Sequence, residues 1–141
     1  VDWIEWLGPE VGFWSQWFSL ARATGTPVLV ALHAGDQADA MEGWSDAETT
    51  VAAHDALKAM FGNHFPAPTG AQITRWSQDP FARGSYSFNA VGTTPALRQA
   101  LAGSDWDGRL FFAGEASSPD YWGTAHGAFW SGETAAEQLL G

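Results

Sequence analysis

The residues best suited to chemistry lie in "LFFAGEASSPDYWGTAHGAFWSG", residues 110–132. The stretch opens as an apolar strand ending in Gly114-Glu115, and a helix rich in small residues follows. A buried parallel strand ending this way puts backbone and a carboxylate at the carboxyl edge of a sheet, where open α/β sheets bind ligands. The helix start, from Thr124 to Gly127, offers free N–H groups and the positive end of the helix dipole. Such an end suits an anion, or a ring carbonyl that gains negative charge on reduction. Gly123, Gly127 and Ala128 would let a flat ring lie close. The same small residues suit equally a helix packed on a neighbouring strand, and the residues alone leave both readings open.

The other reactive side chains read more plainly. His126, in the first turn of that helix, is expected to pack or cap rather than move protons. His33, His54 and His64 show no metal-ligand spacing with each other or with carboxylates. Asp105 and Asp107 flank Trp106 in a turn, as solvated residues do. Trp3, Trp6, Trp14 and Trp17 are expected in a core or interface rather than on a substrate surface. Trp122, just before Gly123, is the further aromatic placed to face a ligand. No side chain qualifies as a general base.

The whole chain constrains what can be bound. Its 141 residues carry a net charge of −10 with six basic residues, so the basic cluster that tracks a phosphate backbone is missing and nucleic acid is not expected. A negative field could steer cationic amines, although a solvated acidic surface accounts for the charge without a ligand. There is no cysteine, hence no disulfide and no thiolate chemistry. With no apolar run of membrane-spanning length and no signal peptide at its start, the chain is expected in the cytoplasm. It opens on Val1, which raises the expectation of a fragment, although processing would leave the same start.

Several elements must position these residues. Residues 1–35 read as two or three strands, and "PVLVALHAG" looks like a strand buried on both faces. Ser45 and Glu48 have capping-box spacing, so a helix is expected over 46–61, with Gly62 in the left-handed conformation at its end. "AQITRWSQD" reads as a strand. Thr94-Pro95 should cap and start a short helix over 95–102. Strand "RLFFAG" and a helix from about Ala125 to Leu140 follow.

Two of these stretches, "ITRWSQDPFARGSYSF" and "RLFFAGEASSPDYWGTAHGAFWSGETAAEQLLG", resemble the C-terminal part of the FAD-dependent amine oxidases: monoamine oxidases, polyamine and spermine oxidases, and lysine-specific histone demethylases. Residues 70–141 match closely and in the correct order; residues 1–69 fit in outline. The resemblance implies an α/β chain. Residues 1–80 would be part of a substrate-binding domain; residues 81–141 would carry the last strand and C-terminal helix of a Rossmann-like FAD-binding domain. Gly114 and Glu115 would lie by the pyrophosphate–ribityl part of FAD, with Glu115 anchoring hydroxyls rather than acting as an acid or base. Gly123, Thr124, Ala125 and Ala128 would sit at the flavin, the helix-start N–H groups facing its carbonyl. Trp76, Phe81, Ser85 and Tyr86 would line the isoalloxazine ring, with Tyr86 and Thr124 as the two walls of the substrate cage.

The resemblance also implies an activity: transfer of a hydride equivalent from a neutral amine to FAD, hydrolysis of the imine, and reoxidation by oxygen to give peroxide. Ser85 stands where monoamine oxidases have a cysteine bonded to the flavin, so FAD would be held non-covalently. Thr124 stands where some members have a second cage tyrosine, which opens that side. The family's Gly-rich phosphate loop is not in this sequence, and its flavin-side lysine has no counterpart, Lys58 lying in the capped helix. An N-terminal part of the oxidase, on the same gene product or a separate chain, is therefore the expected partner. The rival reading is a non-catalytic packing or scaffolding module. No residue of this chain is assigned as catalytic.

Overall fold

Three short strands, β1 (Trp3–Glu5), β2 (Gln16–Ser19) and β3 (Leu29–Leu32), form an antiparallel sheet in the order β1-β2-β3 in the computed structural model, which describes residues 2–141. The chain divides into two compact units, Val1–Pro80 and Phe81–Gly141.

In the first unit the sheet is organised around central β2, where Trp17 pairs with Ile4 on one side and Ala31 on the other. Trp17 is buried, and its indole N–H donates to the Trp14 carbonyl at 2.6 Å. Trp14 stacks on it with ring centroids 5.5 Å apart, although its backbone is held at φ 54°. That conformation costs about 1–3 kcal/mol, and burying a ring of this size offsets a penalty of that order. β3 is an edge strand, not one buried on both faces. Leu29 and Ala31 pack against the core while Leu32 is 46% exposed, because an antiparallel edge strand turns alternate residues outward.

Helix α1 (Ala21–Thr24) bridges β2 and β3, and α2 (Gly35–Glu42) and α3 (Asp46–Phe61) complete the unit. The α3 capping box forms as its spacing predicts: Ser45 Oγ accepts from the Glu48 N–H, and the Glu48 carboxylate accepts from the Ser45 N–H at 2.8 Å. Ala53, Ala56, Leu57 and Met60 give α3 one apolar stripe that joins Trp14, Trp17 and Met41 in the core. Gly62 ends the helix with φ 98° and ψ 160°, a positive φ but not the left-handed helical conformation expected.

The strand expected over 71–79 does not form; Trp76–Gln78 is a single 3-10 turn. The last carbonyls of α2 need partners, and this segment supplies them. Arg75 Nε and Gln78 Nε2 donate to the Glu42 carbonyl at 3.2 and 2.6 Å, and Arg75 Nη2 donates to the Trp44 carbonyl at 2.7 Å.

In the second unit, α4 (Pro95–Leu101) starts at proline as expected, but the Thr94 side chain makes no cap hydrogen bond. Strand β5 (Leu110–Phe111) is two residues long and pairs antiparallel with β4 (Ser104–Asp105). The buried parallel strand expected over "RLFFAG" is thus a short hairpin arm. A tight turn, with Trp106 and Asp107 at φ 54° and 57°, brings β4 to it, and β4 is its strand neighbour among the described residues. Residues 112–114 then run on to a 3-10 turn at Glu115–Ser117, and α5 (Ala125–Leu140) closes the chain. The whole is a mixture of helices and small sheets.

Candidate functional site

The Glu115 carboxylate is the point at which the two expected motifs meet. Its Oε1 accepts from the Ser87 N–H at 2.8 Å, and its Oε2 accepts from Ser87 Oγ at 2.7 Å and from the Gly123 N–H. One side chain therefore fastens the segment after Tyr86 to the segment before α5. A carboxylate has about four lone-pair sites, so roughly one is left for a ligand hydroxyl. Partial burial alone would raise the Glu115 pKa, but the donors on Ser87 and Gly123 and the nearby Arg98 charge together hold it below the ordinary value. The group is an anion that stays ionised, and its first task is internal.

Behind Ser87 lies Arg98, on α4 and 5% exposed. Its Nε and Nη2 donate to Asn89 Oδ1 at 2.8 and 2.6 Å, and its Nη1 donates to Ser87 Oγ and the Ala116 carbonyl at 2.8 and 3.0 Å. Its guanidinium also lies 5.0 Å from the centroid of the Trp122 ring. Sequence reading missed Ser87, Asn89 and Arg98. The available signal was slight: Arg98 is the one basic residue between Arg83 and Arg109.

The start of α5 is well defined. Thr124 Oγ1 accepts from the Gly127 N–H at 3.0 Å and donates to the Tyr121 carbonyl at 2.6 Å. The intrahelical ladder begins with the Ala128 N–H on the Thr124 carbonyl. The N–H groups of Ala125 and His126, both exposed residues, have no acceptor among the described residues. They are the free donors that a helix N-terminus offers. The Thr124 hydroxyl is committed to the cap, which leaves its methyl group as the part able to contact a ligand.

Gly127 does not leave space for a ring. A Cβ there would lie 2.0 Å from the Tyr121 carbonyl oxygen, so the protein's own backbone fills that space. Gly123 has φ 68°, a conformation that favours glycine, and its Cβ position lies 3.5 Å from Tyr86 Cδ2. Tyr86 is thereby set beside the helix start while remaining 63% exposed. Gly114 has nothing within 4 Å of its Cβ position, so a ligand could approach its backbone, and its N–H is held by Ser131 Oγ at 2.8 Å.

The remaining expected residues are less tightly gathered. Phe81 is 97% exposed, Ser85 is exposed, and Ala128 lends its carbonyl to Ser131 Oγ at 2.7 Å. Trp76 belongs to the first unit, where it is half-exposed. His126 is packed as expected, with ring centroids 5.0 Å from Tyr121 and 5.1 Å from Trp130. Trp14 and Trp17 are core residues. Among the described residues no three His, Asp or Glu side chains gather as a metal site, and no helix is long and apolar enough to cross a membrane.

Taken together, an approachable glycine before the 3-10 turn, two free amides at a capped helix and an exposed tyrosine beside them form a surface open to a ligand. The sequence holds no Gly-rich loop for a pyrophosphate.

Comparison with known proteins identifies the family. The family described as "Flavin containing amine oxidoreductase" matches residues 3–140. The chain is 41% identical over 126 residues to lysine-specific histone demethylase 1 homolog 1 of Arabidopsis thaliana, covering 87% of this chain and 15% of that protein. It is 38% identical over 138 residues to polyamine oxidase 4 of Oryza sativa subsp. japonica, covering 98% of this chain and 28% of that protein. The chain therefore spans less than a third of the length of these relatives. It belongs to the family of flavin-containing amine oxidoreductases.

Proposed function

We propose that this chain supplies the flavin-facing and amine-facing wall of an FAD-dependent amine oxidase. One observation carries the reading: the Glu115 carboxylate ties the Ser87 segment to Gly123, which brings Tyr86 beside the free amides of α5. A bound flavin would supply the two-electron oxidation of the carbon–nitrogen bond. Ala125 and His126 would donate their N–H groups to the ring carbonyl edge and stabilise negative charge there. Gly114 would admit the ribityl–pyrophosphate chain against its backbone. Tyr86, with the Thr124 methyl opposite, would orient the amine.

Ser85 makes the attachment non-covalent in this reading. The pyrophosphate cradle would come from sequence outside residues 1–141 or from a second chain, and residues 81–141 would complete a Rossmann-like FAD domain. Two relatives are named for polyamines and for histone lysine, both cationic amines. A net charge of −10 favours the approach of either.

The test is the visible absorption spectrum of the protein, expressed from its complete reading frame and desalted. The expected result is flavin bands that persist on desalting, are released by denaturation, and bleach when a polyamine or methylated lysine peptide is added without oxygen. A colourless protein that does not retain added FAD would favour a packing or scaffolding module instead.

A further inference from the structure

Arg98 lies outside both stretches that carry the family resemblance, and nothing above gives it a part in binding or chemistry. It is nevertheless among the most buried residues of the second unit and the most heavily hydrogen-bonded basic side chain there. A guanidinium buried to this degree is retained only where its donors are satisfied. Its partners among the described residues are neutral oxygens, those of Asn89, Ser87 and Ala116.

The Ser87 contact determines the direction of the network. Arginine can only donate, so Ser87 Oγ must accept from Nη1, which leaves its own proton for Glu115 Oε2. Glu115 Oε2 in turn accepts from the Gly123 N–H. Arg98 thus reaches the residue before the α5 cap through Ser87 and Glu115. It reaches the same segment a second time by stacking on Trp122. Two independent contacts hold residues 122 and 123, and the free amides of Ala125 and His126 follow directly.

We propose that Arg98 is a positioning residue that sets the α5 amides for the flavin carbonyl edge, acting through Ser87, Glu115 and Trp122. The proposal rests on the flavin reading above. Its function requires fork geometry as well as charge: Nε and Nη2 must grip Asn89 while Nη1 points at Ser87. Lysine carries three donors on one nitrogen and lacks the planar fork that spans Asn89, Ser87 and the Ala116 carbonyl.

The test compares Arg98→Lys and Ser87→Ala with the unaltered protein, each expressed from the complete reading frame. Ser87→Ala leaves Arg98 in place and removes the hydroxyl link, so it decides the matter if Arg98→Lys does not fold. The first readout is the midpoint potential of bound flavin. Both variants should favour oxidised over reduced flavin by about tenfold more, which is about 30 mV more negative for a two-electron couple. The second readout, independent of cofactor, is hydrogen exchange at the hydrogen-bonded amides of Gly123, Gly127 and Ala128 around the helix start. This exchange should be about tenfold faster in both variants, with the rest of α5 unchanged. An unaltered potential and unaltered exchange in Ser87→Ala would overturn the proposal. A protein that binds no flavin would count against the flavin reading alone, and the exchange result would then decide whether Arg98 positions the helix start.

Discussion

Two glycine-to-alanine substitutions in α5 should move stability in opposite directions. Helix propensity alone predicts that either would stabilise the protein by about 0.5–1 kcal/mol, since glycine is the poorer helix former. At Gly132 nothing lies within 4 Å of the added Cβ, so Gly132→Ala should show that gain. At Gly127 the Cβ would fall 2.0 Å from the Tyr121 oxygen, 2.9 Å from its carbonyl carbon and 3.0 Å from Thr124 Oγ1. Backbone cannot yield as a flexible side chain does. The 121–124 segment must therefore move, at an overpacking cost of about 1–3 kcal/mol, and the Thr124 cap, worth about 1 kcal/mol, moves with it. Net destabilisation of about 2 kcal/mol is expected for Gly127→Ala. Urea titration of the two variants beside the unaltered protein measures this directly. With a slope of about 2 kcal/mol per molar, the Gly127→Ala midpoint should fall by about 1 M while that of Gly132→Ala rises slightly. If both variants rise together, Tyr121 does not press on the first turn of α5, and the account of how that turn is held fails.

Three other perturbations probe other parts of the molecule. Leu57→Ala should cost about 2–5 kcal/mol in the same titration, because Leu57 is 8% exposed within the cluster around Trp14 and Trp17. Glu115 has a folded pKa below its ordinary 4.5, so its stabilisation is complete above that value and is lost as pH falls through the folded value. The stability gap between the unaltered protein and Glu115→Gln should accordingly narrow as the pH is taken from 6 to 3, and a gap that stays constant would refute the assignment. Desolvation lowers the pKa of His33, both of whose ring nitrogens are buried without a hydrogen-bond partner among the described residues. The unfolded chain gains that proton first as pH drops below 6.5, so His33→Leu should stabilise the protein by about 1 kcal/mol or more and flatten its stability profile between pH 7 and 5.

What the sequence revealed depended on how local the cause was. The α3 capping box, the Pro95 helix start and the bounds of α5 are decided by residues within a few positions of one another, and all three appear in the structure. The strand expected at 71–79 failed for a tertiary reason, since Arg75 and Gln78 answer carbonyls at the end of α2 more than thirty residues earlier. Helix α2 itself has little periodic signal, with Met41 its one buried residue. The apolar run of β3 suggested burial on both faces, whereas antiparallel pairing at an edge exposes alternate residues.

The glycines between residues 114 and 127 show most clearly why a motif cannot be divided into ligand contacts by inspection. Gly114, Gly123 and Gly127 look equivalent in sequence, yet each is glycine for its own reason. Gly127 makes room for the protein's own Tyr121 carbonyl, Gly123 takes a positive φ against Tyr86, and Gly114 takes a positive φ of 148° with its face left open. Glu115 follows the same logic. It was expected to hold a cofactor, and three of its roughly four acceptor sites hold the chain, which leaves roughly one for a ligand. A helix start can present free amides to a ligand only if something else keeps it still, because donors that drift lose the advantage of being arranged in advance. Much of the motif is therefore the support for a few exposed groups. Substitutions at Ser87 or Arg98 should disturb ligand binding without removing a ligand contact.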